Sequence, residues 1–211
     1  MENDTPNKIK ISKEIIATLP IETLPGKIVV IDNERDADNA VLQLNNERII
    51  GFDTETRPTF KKGKSNHVAL IQLSTHDTCY LFRINRIGFT PAIKNLLENE
   101  SLLKVGISLK DDFCMLSRLN GGQFIPKNFI ELQKFVKKYN IEDQSLQKIY
   151  GIVIGKKISK GQRLSNWEAD HLTENQQLYA ATDAWSCIKI YEVLKSGKFK
   201  SPIYKIQPSS L

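Results

Sequence analysis

The sequence predicts an α/β domain: a mixed central sheet, part antiparallel meander and part parallel, flanked by helices. Three observations carry this prediction. Short apolar runs bounded by polar residues recur at Lys27–Ile31, Ile49–Phe52, His67–Ser74, Cys79–Phe82 and Leu102–Ile107, the pattern of buried strands. The second, third and fourth runs follow one another with no helical stretch between them, which argues for antiparallel neighbours. The fifth follows helix-like sequence that begins at Pro91, which argues for a parallel return by a crossover.

In chain order, residues 1–11 are polar and read as a frayed terminus. Ser12–Leu19 fits a short helix that stops at Pro20, and Lys27–Ile31 is the first strand. Asp36–Leu44 has Ala37, Ala40, Val41 and Leu44 at helical spacing. The run Ile49–Phe52 leads into Asp53 and Glu55. Arg57–Asn66 follows as a polar loop containing Lys61, Lys62 and Lys64. His67–Ser74 and Cys79–Phe82 make a hairpin around Thr75–Thr78. Pro91 opens a helix through Leu97, because its fixed φ and missing N–H suit a first helical position.

Ser108–Leu119 has Leu109, Phe113 and Leu116 as its buried stripe. Phe129–Leu132 is a short strand and Gln133–Tyr139 a helical segment. Asp143 or Ser145 caps a helix that runs to about Tyr150. Gly155–Arg163 is a second basic loop, with Lys156, Lys157, Lys160 and Arg163, and Trp167 after it reads as a core anchor. Thr173-x-x-Gln176 is a capping box that opens a last helix to about Lys195.

At 211 residues the chain suits one domain with a full core. The expected layout is an N-terminal extension at 1–26, the domain proper at 27–195 and a C-terminal tail at 196–211. A hydrophobic content of 40% with 26% charged residues is that of a globular protein, not a disordered or fibrous one. The net charge of +6 suits a polyanionic partner. Cys79, Cys114 and Cys187 are odd in number and far apart, so neither a disulfide framework nor a zinc spacing follows. No apolar run approaches the ~18 residues of a membrane span, and no signal segment opens the chain. A cytoplasmic location is expected.

Four carboxylates stand out. Side chains two apart on a strand share a face, so Asp53 and Glu55 project together where their strand ends. Alone, that pair also fits a strand running into solvated loop. At 100° per residue, Asp112 lies within about 60° of the buried stripe of its helix, and Asp111 roughly 160° from its centre. Asp112 is therefore expected inward and Asp111 in water. In the last helix, Tyr179, Asp183, Cys187, Ile190 and Leu194 form an apolar stripe interrupted by one carboxylate. Tyr179 and Asp183 are one turn apart and side by side. An Asp in such a stripe needs a partner. Together Asp53, Glu55, Asp112 and Asp183 make an all-oxygen set suited to hard divalent cations such as Mg²⁺ or Mn²⁺. His67, His76 and His171 form no ligand pattern.

On these residues the sequence resembles the DEDDy-type 3′–5′ exonucleases, a family of ribonuclease-H-like fold. Within that family it is most similar to the exonuclease domain of the Werner syndrome helicase. Gly51-Phe-Asp53-Thr-Glu55 looks like the first motif, Val105 to Asp112 like the second, and Tyr179-Ala-Ala-Thr-Asp183 like the third in its tyrosine form. The similarity extends through Val68–Leu73, Cys79–Phe82 and Ser165–Trp167 and covers about residues 27–195. Departures occur at Cys114, where that domain has a tryptophan, and at His67, where it has a lysine.

The resemblance implies a ribonuclease-H-like 3′–5′ exonuclease fold and two-metal hydrolysis of the phosphodiester at a 3′ end, releasing nucleoside 5′-monophosphates. It implies that Asp53 bridges both ions, that Glu55 and Asp183 bind the ion that activates water, and that Asp112 supports the other. Tyr179 would orient the attacking water. Lys62, Lys64, Lys157 and Arg163 are the expected phosphate contacts. DNA is favoured as substrate, since the chain carries no helical accessory domain of the ribonuclease D kind. A helicase acting in trans fits as a partner. Trimming of RNA 3′ ends, or a nucleic-acid-binding module on an inactive nuclease fold, are the alternatives.

Overall fold

The structure is a computed structural model and describes residues 8–57 and 67–200. Its elements follow the sequence periodicities closely. Helix α1 spans Lys13–Thr18, strand β1 Lys27–Ile31 and helix α2 Glu34–Leu44. Strand β2 spans Ile49–Thr56, β3 Val68–Ser74 and β4 Thr78–Phe82. Helices α3 (Ile84–Ile87) and α4 (Pro91–Glu98) precede β5 (Leu103–Gly106), and α5 spans Leu109–Leu119. Strand β6 (Phe129–Glu131) leads into α6 (Leu132–Phe135), which tightens into a 3₁₀ turn at Val136–Tyr139. Helices α7 (Leu146–Ile154) and α8 (Glu174–Lys195) complete the described chain.

Local chemistry sets most of the boundaries. The side chains of Ser12, Asn33, Thr90 and Ser145 each accept from an N–H in the first turn of α1, α2, α4 and α7. Thr173 and Gln176 cap one another's backbone at the start of α8. Gly155, at φ 74°, ends α7 in the left-handed conformation that glycine adopts without strain.

One six-stranded sheet runs in the order β1-β4-β3-β2-β5-β6. β2, β3 and β4 form the antiparallel meander. β5 returns parallel to β2, β6 lies parallel to β5, and β1 lies parallel to β4 at the far edge. β3 is buried along its whole length, as expected of a strand covered on both faces. One face packs against α2, α4 and α5 through Leu44, Ile50, Phe52, Ile93 and Leu116. The other packs against α7 and α8, with Trp167 and Tyr150 among its largest buried side chains.

Two features depart from the sequence expectation. Residues 1–11 read as frayed, yet Ile9 and Ile11 are buried. They alternate with Lys8 and Lys10 in an extended segment, Ile9 bridging to Ile141 while both lysines pair with Glu142. Helix α8 buries more than its expected stripe of Tyr179, Asp183, Cys187, Ile190 and Leu194: every residue from Tyr179 to Ile188 is buried, because sheet, α7 and the N-terminal segment surround it.

Candidate active site

Strand β2 sorts its side chains by alternation. Asp53 and Glu55 point to the α8 face, and Thr54 to the α5 face beside Phe52. α8 crosses β2 at close range: a Cβ on Gly51 would lie 1.9 Å from the Ala184 carbonyl oxygen. Only a glycine permits that approach. It places Asp183, one residue before Ala184, over Asp53 and Glu55. One carboxylate oxygen from each of Asp53, Glu55 and Asp183 lies within 4.8 Å of the others. The pairing register of β2 with β3 shifts between Glu55 and Thr56, a bulge at the end of the acidic pair.

Asp112 approaches from the other side of β2. Its carboxylate accepts a short hydrogen bond from the Thr54 hydroxyl. Asp111, its neighbour, is exposed. The first turn of α5 is held by Glu131 of β6, whose carboxylate accepts from the N–H groups of Ser108 (3.1 Å) and Leu109 (2.8 Å). Ser108 itself sits at φ 58°, a left-handed position for a residue with a side chain. Glu131 thus anchors the turn that carries Asp112.

The electrostatics are strained in one direction. Burial raises the Asp53 pKa well above its ordinary value, and the charges of Asp183, Glu55 and Asp112 add to this. Burial also raises Glu55, again with Asp183 and Asp112, while Arg163 opposes the shift. Burial raises Asp183, opposed by the Tyr179 hydroxyl and by Lys160. It pushes Asp112 up to about 6 against the Thr54 hydrogen bond. The Tyr179 phenol is raised by burial and by Asp183, so it stays protonated and can donate. Its ring packs on Trp167 at 6.0 Å between centroids.

This donor set fits a divalent cation. Carboxylates crowded together and mostly out of water repel one another, and a cation relieves that repulsion. Asp183 Oδ1 is buried with no hydrogen-bond partner among the described residues, a lone pair left free for coordination. All ligand atoms are hard oxygens, suited to Mg²⁺ or Mn²⁺.

Of the expected basic contacts, Lys62 and Lys64 lie outside the described residues. Arg163 acts on Glu55. Lys157 turns toward α1, where its ammonium donates to the Ala17 carbonyl oxygen, because its own backbone bridges to Ile21, bonding to Pro20 and Glu22. The lysine that acts on Asp183 is Lys160. Helical periodicity does not reach into such a loop, so nothing in the sequence separates Lys160 from its neighbours. Thr54 and Glu131 are likewise visible only in the fold. Gln72 carried a faint signal, as a polar residue inside an apolar run. It stands opposite Asp53 in the β2–β3 register and is fully buried. Both ends of its amide lack a hydrogen-bond partner among the described residues.

Comparison with known proteins gives one consistent picture. The family model described as 3′–5′ exonuclease matches residues 28–197. The chain is 36% identical over 203 residues to the Mus musculus bifunctional 3′–5′ exonuclease/ATP-dependent helicase WRN, which covers 90% of this chain and 14% of that protein. It is 30% identical over 174 residues to a 3′–5′ exonuclease of Arabidopsis thaliana, 80% of this chain and 57% of that one. The chain thus spans less than two thirds of each of these relatives. Among solved structures, the Aedes aegypti Nibbler EXO domain matches with a TM-score of 0.75 at 24% identity, over 88% of this chain and 94% of that one. Trypanosoma brucei RNase D complexed with RNA U12 matches at 0.72 and 21%, over 85% and 65%. The fold is that of the ribonuclease-H-like exonucleases.

Proposed function

The chain belongs to the 3′–5′ exonuclease family, and on that premise we propose that it shortens nucleic-acid strands from the 3′ end by metal-dependent hydrolysis, releasing nucleoside 5′-monophosphates. The observation that carries this reading is the approach of Asp53, Glu55 and Asp183 to within 4.8 Å of one another. In this reading Asp53, Glu55 and Asp183 would hold a metal ion, and Asp112, hydrogen-bonded to Thr54, would support a second. Two Mg²⁺ or Mn²⁺ ions would supply a water of lowered pKa and a clamp on the attacking and leaving oxygens.

The remaining work falls to the protein. The Tyr179 hydroxyl, kept protonated by its surroundings, orients the attacking water beside Asp183. The water oxygen bonds to phosphorus as the bond to the 3′-oxygen breaks, and the departing oxygen takes up a proton. Arg163 and Lys160 offset charge on the phosphates, so affinity depends on salt and base preference is slight.

DNA is the proposed substrate, on the similarity of the motifs and their surroundings to a bifunctional exonuclease/helicase. A helicase acting in trans is the proposed partner. The likeness to an RNase D that holds RNA supports RNA as the second reading. The test is digestion of 5′-labelled DNA and RNA strands with Mg²⁺ or Mn²⁺, and with EDTA. A descending ladder only without chelator is expected, and faster on DNA. Full activity in EDTA, or cutting of closed circular DNA, would sink the reading.

A further inference from the structure

Residues 165–172, just ahead of α8, form no regular helix or strand. Trp167 lies within them, fully buried, with its ring against that of Tyr179. Its indole N–H has no hydrogen-bond partner among the described residues. The place of the indole therefore depends on packing and on how its backbone is held. Within the segment, the Ala169 N–H donates to the Asn166 carbonyl oxygen at 3.2 Å. Other holds come from elsewhere in the fold. The Gln176 amide donates to the Asn166 carbonyl oxygen at 3.3 Å, and Arg57 pairs with Glu168 at 3.1 Å.

Arg83, the residue after β4, reaches the same segment from the far side of the chain. It is buried. Its guanidinium donates to the carbonyl oxygens of Ala169 and Asp170, the latter at 3.4 Å. It forms no ion pair among the described residues. A buried cation without a counter-charge is costly, so its retention calls for a reason. Carbonyls turned inward need donors, and the planar fork of an arginine serves two at once where a lysine ammonium is a point. Arg86 also donates to the Asp170 carbonyl oxygen, but it is more exposed and lies 3.8 Å from the carboxylates of Asp32 and Asp170. Arg83 is the buried member of the pair and spends its donors on the backbone.

Support of the fold alone would end at those two carbonyls. The contacts run further, since Trp167 stands two residues before Ala169 and its ring is the surface on which Tyr179 rests. We propose that Arg83 is a positioning residue: by holding the carbonyls of 169 and 170 it fixes Trp167, and Trp167 fixes the ring and hydroxyl of Tyr179 beside Asp183. The proposal rests on the exonuclease reading and deepens it, for a buried guanidinium outside the carboxylate centre then sets the rate of the chemical step.

The test is a double-mutant cycle on the full chain, read by single-turnover cleavage of a 5′-labelled DNA strand with Mg²⁺. Arg83→Lys keeps the charge and loses the fork. It should lower the rate of cleavage about tenfold, in kcat and not KM. In the Tyr179→Phe background the same change should cost nothing further, because the hydroxyl it positions is already gone. A residue that merely supports the fold would cost the same factor in both backgrounds. A second readout needs no activity. The chain has 2 tryptophans, so in a Trp185→Phe background fluorescence reports Trp167 alone. Arg83→Lys should make that signal severalfold more open to quenching by acrylamide.

Cleavage by the unaltered chain, with losses from Arg83→Lys and Tyr179→Phe that multiply, would overturn the proposal and leave the nuclease. So would an Arg83→Lys chain that cleaves at the full rate, or one whose Trp167 is quenched no more than before. Absence of cleavage by the unaltered chain would overturn the exonuclease reading and the proposal with it. Arg83→Gln, which keeps one amide donor, replaces Arg83→Lys if circular dichroism shows the latter unfolded. Failure of both to fold would make Arg83 a framework residue and overturn its positioning role.

Discussion

Asp53, Glu55 and Asp183 stand where their charges oppose one another. At an effective dielectric of about 20, two such charges repel by roughly 3–4 kcal/mol at this separation. The pKa values are raised in the folded protein, so protonation favours the fold. Without metal, this contribution is fully present below the ordinary carboxyl values of 3.8 and 4.5 and is lost as pH rises through the raised values, about 6 for Asp112. Thermal melts in EDTA should therefore show Tm falling across that window. Asp53→Asn should lessen the fall, keep the apo protein at least as stable, and abolish cleavage. A large loss of stability would mark Asp53 as structural. Tyr179→Phe keeps the ring on Trp167 and removes only the hydroxyl. Losing one positioning contact should cost on the order of 10²-fold in rate, in kcat and not KM, with metal affinity intact. Single-turnover cleavage at the full rate would leave Tyr179 as an ordinary core aromatic.

Among elements, the crossing of α8 over β2 matters most to the site. It joins a carboxylate pair from one part of the chain to the Tyr179–Asp183 pair of another, and Gly51 sets its distance. The atom facing a Cβ at Gly51 is a backbone carbonyl oxygen of a long, enclosed helix, which cannot swing aside as a side chain would. Gly51→Ala should thus force α8 off the sheet. Overpacking of this kind costs about 1–3 kcal/mol, and the shift should move Asp183 away from Asp53. Chemical denaturation would read the first effect and metal titration the second. Stability and metal affinity both unchanged would show that the interface has more slack than its geometry indicates. Helix α5 is placed differently. Its N-cap Ser108 makes no side-chain cap, and Glu131 from the neighbouring strand supplies the acceptor.

For the whole molecule, the N-terminal segment is part of the core. Ile9, Ile11, Ile16, Leu19 and Leu24 are all buried against α7 and α8. Burying each is worth about 1.5–3 kcal/mol, so together they rival the 5–15 kcal/mol that holds a typical domain folded. Glu22 adds an anchor, accepting from Tyr150, Lys156 (2.7 Å) and Lys189 (2.8 Å). Those partners outweigh the burial that works against them and hold its pKa down at about 2. This contribution is present above 4.5 and lost as pH falls toward 2, opposite in sign to the carboxylate cluster. A chain that begins at Lys27, close to where the family match begins, should therefore fail to fold. Circular dichroism would check this, and a cooperative melt near that of the full chain would overturn it.

Much of this molecule follows from the sequence alone, because much of it is local. Period two in β2 puts Asp53 and Glu55 on one face, helical phase turns Asp112 inward and Asp111 outward, and a spacing of four sets Tyr179 beside Asp183. Pro91 at the first position of α4 and the capping box at Thr173 mark helix starts for the same reason, since each acts only within the first turn. What only the tertiary structure decided depends on segments distant in the chain. Asp112 comes to Thr54 and not into the tight trio, because α5 lies on the opposite face of the sheet from α8. Lys157 turns to the Ala17 carbonyl, because its backbone is pinned at Ile21, while it is the charge of Lys160 that bears on Asp183. Gln72 lies buried beside Asp53, and Ile9 and Ile11 close over the core. No periodicity encodes these meetings, which arise when one packed surface selects its neighbours.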